Sequence, residues 1–196
     1  MNAKKIVTAG LALVMVAGIS VAGTLAYLTS TTSEVRNTFV VGDGVDIALD
    51  EAPVDENGKE IEGTRVTTNS YTLAPGGEYD KDPTVHVNGD DCWVFVKVDN
   101  GIAGSEGTTT IADQIATNWT AVDGHSGVYY YGKGDEPTTV SKGTDCVVFE
   151  TFSIAGTLDN DAYTALKGAQ ITITGFAIQA ENMDLATATT QLPQGW

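Results

Sequence analysis

The side chains that could do chemistry in this chain are few and scattered. It holds two histidines, His86 and His125, and two cysteines, Cys92 and Cys146. A zinc peptidase presents two imidazoles from one helical turn as His-Glu-x-x-His, and no such pair occurs. The Gly-x-Ser-x-Gly elbow of a serine hydrolase is absent, as are the glycine-rich loops that cradle dinucleotides or phosphates. His86 lies in an alternating, strand-like stretch and His125 in the loop Asp123-Gly124-His125-Ser126-Gly127, so both read as structural or solvated. The acidic stretch Asp55-Glu56-Asn57-Gly58 fails the twelve-residue calcium loop, because Gly58 and Glu60 come too early. It reads as a turn, since Asn-Gly tolerates positive φ. No catalytic residue, metal ligand or cofactor is expected, and the chain is not read as an enzyme.

The elements that would position any site begin after a greasy N-terminus. Lys4 and Lys5 precede an apolar run from Ile6 to Ala26, with small residues at Thr24 and Ala26. A basic head, an apolar segment and a small-x-small end make a secretory signal peptide. Cleavage is expected between Ala26 and Tyr27. The run is just long enough to span a bilayer, but its many Gly and Ala residues suit a removed helical leader better than a retained anchor. The expected organisation is a signal peptide (residues 1–26), an extended arm (residues 27–38) and one domain (residues 39–196).

The formal net charge is −16, and removing residues 1–26 takes away two lysines and no acid. Such a surface repels nucleic acid and anionic membrane, both of which need Lys and Arg against phosphate. Hydrophobic content of 42% with only 5 prolines places the chain among globular proteins. Two cysteines in an exported chain permit a disulfide between Cys92 and Cys146. Each also sits in an apolar run, where a free thiol behaves as a small hydrophobe, so both states stay open.

Along the chain, Val45, Ile47 and Leu49 alternate with polar residues as a half-buried strand. Residues 66–73 form a Thr-rich stretch that reads as a strand, ending at Pro75-Gly76-Gly77. Residues 84–87 read as a short strand, and residues 92–98 as one that is apolar on both faces. Residues 110–117 suit a helix capped by Thr110, within a Gly-rich region (residues 101–127) that could serve as a binding face. Residues 128–131 and 146–154 read as strands, and a second helix starts at Asp159 or Asn160 and stops at Gly168. In the last strand the apolar parity slips at Thr174-Gly175, which predicts a bulge. The Ala- and Thr-rich stretch after Met183 is expected to fray. About eight strands with turn signals between them, and two short helices, define an all-β, jelly-roll-like sandwich.

Several of these segments, in this order, resemble one family. Gly23-Thr24-Leu25-Ala26-Tyr27-Leu28 is followed by Asn37-Thr38-Phe39-Val40-Val41-Gly42 and Val45-Asp46-Ile47-Ala48-Leu49-Asp50-Glu51. Leu73-Ala74-Pro75-Gly76-Gly77-Glu78-Tyr79, Asp91-Cys92-Trp93-Val94-Phe95-Val96-Lys97-Val98 and Ile171-Thr172-Ile173-Thr174-Gly175-Phe176 come later. The pattern resembles the TasA/camelysin family, exported proteins with a SipW-type signal peptide. The resemblance implies a dedicated signal peptidase, a jelly-roll domain and a secreted structural role in an extracellular or biofilm matrix of Gram-positive bacteria. It also implies that the freed arm, with Tyr27, Leu28, Val35 and Phe39, adds as a strand to the next copy in a head-to-tail homopolymer. Camelysin-type members carry a metallopeptidase label, for which this chain has no matching zinc motif. A monomeric cell-surface binding module is the further alternative.

Overall fold

The computed structural model describes residues 44–133 and 136–196. The expected signal peptide, the cleavage point at Ala26 and Tyr27, and the arm with Leu28, Val35 and Phe39 lie outside the described residues. Within them the chain is an antiparallel β-sandwich. Its strands are β1 (Ile47–Asp50), β2 (Glu78–Asp80), β3 (Thr84–Val87), β4 (Cys92–Asn100) and β5 (Trp119–Ala121). There follow β6 (Val128–Lys133), β7 (Glu136–Pro137), β8 (Asp145–Val147), β9 (Thr151–Ser153) and β10 (Ile171–Gln179). Three short helices are α1 (Ile111–Ile115), α2 (Asn160–Ala165) and α3 (Leu185–Thr189).

One sheet runs β10-β4-β6-β5 with β7 on β6; a second runs β1-β3-β8; β2 pairs with β9. The last two are closer to one ribbon than the strand boundaries suggest. Glu78 faces Ser153, Thr84 faces Val147 and His86 faces Asp145, all in a single register. Between the two ladders Lys81 N–H donates to Glu150 O (3.0 Å) and Val148 N–H to Pro83 O (2.8 Å). Pro83 stands at a hydrogen-bonding position and has no N–H to return, so the ladder is interrupted there. The long strand expected over residues 146–154 is therefore two short ones on a continuous register.

Alternation divides the side chains between two cores. Cys92, Val94, Val96 and Val98 of β4 join Val85, Val87 and Cys146 of the opposing sheet in the larger one. Phe95, Val122, Val128 and Ala188 form the smaller one on the outer face, with Trp93, Phe176, Ile178 and Trp196 packed around it. The tyrosine run splits the same way, Tyr129 and Tyr131 to the first core and Tyr130 to the second. Full burial of aliphatic and aromatic groups of this size contributes about 1.5–3 kcal/mol each.

Three expectations are corrected. β10 pairs with β4 without interruption from Ile171↔Asn100 to Gln179↔Cys92, so no bulge occurs at Thr174-Gly175. Ile171, Ile173 and Ala177 pack in the inner core while Phe176 and Ile178 pack outside, and the parity slip records two covered faces. The outer cover is the segment after Met183, which is not frayed. It forms α3, capped by Asp184, whose carboxylate accepts from Thr187 N–H (2.8 Å). Trp93 Nε1–H donates to Met183 O (2.9 Å) and Lys97 Nζ to Gly195 O (2.7 Å), fastening this strap at both ends. Finally, residues 66–73 do not form a strand: Val66 makes an isolated bridge to Glu51, and residues 67–73 join no ladder.

The helix starts hold. Thr110 closes a capping box with Asp113, and Asp159 caps α2. Gly168 follows α2 at φ +82°, the left-handed turn that ends a helix.

Candidate functional site: an open cleft with a charged wall

β10 is the last strand of its sheet, and its outer edge is open among the described residues. Gly101 N–H donates to Gln170 O (2.8 Å) and Ala180 N–H to Asp91 O (3.0 Å), so even-numbered residues of β10 bond to β4. Ile171 and Ile173 therefore turn their backbone N–H and C=O away from the sheet. They face a cleft of about 1070 Å³, bounded on its other side by residues 66–73. Residues 67–73 make no backbone–backbone hydrogen bond among the described residues. The cleft thus runs between two stretches of backbone that, among the described residues, both lack a ladder partner on that side.

Side chains hold the 66–73 wall in place of a ladder. Asn69 Nδ2 donates to Ala52 O (2.8 Å), and Val54 N–H donates to Asn69 Oδ1 (3.2 Å). Tyr71 Oη donates to Asp80 O (3.0 Å), Tyr79 Oη to Thr72 O (3.2 Å) and Tyr163 Oη to Leu73 O (2.7 Å). Tyr71 and Tyr79 also pack around Phe152, with centroids 5.0 Å from its ring. Burial first, and then the nearby Glu51 charge, raises the Tyr71 phenol above its ordinary value, so it serves as a donor.

A charged network adjoins the cleft through Asp50, which lines it. Arg65 bonds through Nε to Asp50 and through Nη1 to Asp82 Oδ2 (2.7 Å). Its Nη2 reaches Asp82 O (3.0 Å) and Thr84 Oγ1 (3.0 Å). His86 stands between two carboxylates, Nε2 2.9 Å from Asp50 Oδ1 and Nδ1 2.6 Å from Asp145 Oδ1. Partial burial lowers the His86 pKa, but the hydrogen bonds to Asp50 and Asp145 prevail and raise it. Burial likewise raises Asp50, and the bonds from Arg65 and His86 outweigh it and hold that carboxyl low.

Lys81 and Glu51 line the cleft as a buried pair, Nζ bonded to Oε2, with side-chain exposures of 9% and 7%. Both occupy inward positions: Glu51 follows Ile47 and Leu49 in parity, and Lys81 lies between Tyr79 and Pro83. None of Asp50, Glu51, Arg65, Lys81 or Asp82 was singled out from the sequence. The readable signal was a Lys and a Glu on core parity in otherwise apolar files.

The residues that were singled out lie elsewhere. His86 joins this network, whereas His125 Nδ1 lies 2.7 Å from Trp196 O on the outer face. Cys92 and Cys146 are fully buried free thiols in the larger core. Burial, with a smaller effect of the nearby charge of Asp91, pushes the Cys92 thiol up to about 11. Burial and then the neighbouring Cys92 push Cys146 to about 12. Asp55 caps its turn by accepting from Asn57 and Lys59 N–H, both 2.8 Å. Among the described residues no group of three His, Cys, Asp or Glu is placed to hold a metal ion, and no helix is long and apolar enough to cross a membrane. No family model, curated protein or solved structure matches the chain.

Proposed function

We propose that the protein is a secreted structural subunit of an extracellular matrix, with no enzymatic role, that polymerises head to tail by strand addition. The occupant of the cleft is the arm of residues 27–38 from a second copy, freed when a signal peptidase cuts between Ala26 and Tyr27. The observation that supports this reading is the cleft between the open edge of β10 and the ladderless segment 67–73. An added strand gains main-chain hydrogen bonds from an open edge, and its alternate side chains fill the pockets below. The inner wall carries Leu73, Phe152, Ile171 and Ile173 for those side chains. Head-to-tail addition is heterologous and does not close on itself, so it makes filaments. The family resemblance supports the same assembly, and the strongly acidic composition leaves no nucleic-acid or membrane partner for the mature chain.

Negative-stain electron microscopy of the chain beginning at Tyr27, beside the same chain beginning at Phe39 and the uncleaved precursor, tests this. Filaments from the first alone are the expected result. Globular particles from all three would remove the polymer reading in favour of a displayed monomeric module.

A further inference from the structure

We infer that the Glu51–Lys81 pair is a carboxamide-recognising hook that sets the register of the incoming strand, an inference that rests on the strand-addition reading above. The two side chains share one hydrogen bond, Nζ to Oε2. A carboxylate accepts through two oxygens and an ammonium donates through three hydrogens, so most of their capacity has no partner among the described residues. Glu51 Oε1 has no partner among the described residues. Both residues line the cleft.

A carboxamide answers that surface. Its NH2 donates to Oε1 while its C=O accepts from Nζ, and it brings no net charge into a site that is already neutral as a pair. A carboxylate repels Glu51 and a cation repels Lys81, each at low local dielectric. The surrounding wall is apolar at Leu73, Phe152 and Ile171, so the flanking same-face residues of the guest strand must be apolar. In the N-terminal region one file has that order: Val35, Asn37 and Phe39 share a face at alternate positions, with the amide in the middle. The opposite file, Glu34, Arg36 and Thr38, would place two charges and a hydroxyl inward. The hook therefore selects the odd-numbered face, with Asn37 of a second copy over Glu51 and Lys81. A one-residue slip turns every side chain to the wrong side.

The test is the critical concentration for polymerisation of the chain beginning at Tyr27, measured by sedimentation. N37L is expected to raise it about tenfold or more, because it buries the hook's donors and acceptors without partners. On the apolar floor of E51L/K81M, N37L is expected to recover most of that loss while Asn37 becomes the poorer guest. N37D is expected to assemble no better than N37L at neutral pH. N37L or N37D assembling like the parent overturns the hook while strand addition stands. A parent chain that assembles equally well from Phe39, or not at all, overturns both.

Discussion

His86 Nε2 lies 2.9 Å from Asp50 Oδ1 across the β1–β3 ladder, and that same oxygen receives Arg65 Nε. One carboxylate oxygen thus joins β1, β3 and the start of the 66–73 wall. The charged form of the imidazole is favoured by what it touches, Asp50 on β1 and Asp145 on β8. Its folded pKa is raised, so its contribution to stability is fully present below the ordinary histidine value and is lost as pH rises through the raised one. Asp50 is lowered, so its contribution is present above the ordinary carboxyl value and is lost as acid titrates it. Thermal melts should show stability falling from mildly acidic to mildly alkaline pH in the parent. In His86→Gln that fall should be absent or much reduced; an unchanged pH dependence rules out this assignment.

The buried pair gives a sharper contrast. Lys81→Met alone leaves Glu51 uncompensated and should cost about 3–5 kcal/mol in urea unfolding. Replacing both, E51L/K81M, should return stability to within about 1 kcal/mol of the parent, because two apolar side chains remove the desolvation penalty together. Equal losses in the single and double variants would mean that packing, not charge, is what the site needs.

Gly175 separates a straight β10 from a bulged one. An added Cβ there would lie 3.4 Å from Ile47 Cδ1 and 3.8 Å from Val85 Cγ2, ordinary contact distances. Gly175→Ala should therefore be tolerated, with a gain of up to about 0.5–1 kcal/mol from lost chain entropy in the unfolded state. A loss of more than about 1 kcal/mol would mean that the backbone at this position is special after all.

The strap depends on one small residue. Ala188 is fully buried beneath α3, against the core built on Phe95. Ala188→Asp places an unpaired charge there and should cost about 3 kcal/mol or more, read by urea denaturation. Phe95→Ala on the facing strand should cost about 3–5 kcal/mol by leaving a cavity.

Thiol chemistry should follow burial. Neither Cys92 nor Cys146 should react with a thiol reagent in the native state at neutral pH, since both are enclosed and both thiols are pushed far up. Unfolding without reductant should release both. Mass spectrometry finding a bond between them in the native protein would contradict the free thiols described above.

Much of the sandwich was legible because alternation is a local signal. The doubly apolar run around Trp93 announced a strand covered on both faces, and Thr110 and Asp159 announced their helices by capping chemistry. The same alternation misled at Thr174-Gly175, where the swap of apolar parity came from a second layer contributed by distant residues such as Ala188 and Trp196. Residues 67–73 look strand-like but find no ladder partner within the described domain, and composition cannot supply a neighbour. The charged wall was hidden for another reason. Asp50, Arg65, Asp82, His86 and Asp145 come from separate segments: the pairing of β1 with β3 and of β3 with β8 gathers Asp50, His86 and Asp145, and the Glu51–Val66 bridge brings Arg65 beside them. Glu51 and Lys81 alone left a trace, as charged residues on core parity.

The cover on both faces of β4 also has a kinetic meaning. Its amides bond in alternation to β10 on one side and β6 on the other, with one core beneath and the strap above. An amide in that position exchanges its hydrogen with solvent only when the sandwich itself opens. The centre of β4, around Val94, Phe95 and Val96, should hold the slowest-exchanging protons of the molecule and report its global free energy of unfolding. The outward amides of Ile171 and Ile173 should exchange early, so one strand pair spans both ends of the protection scale.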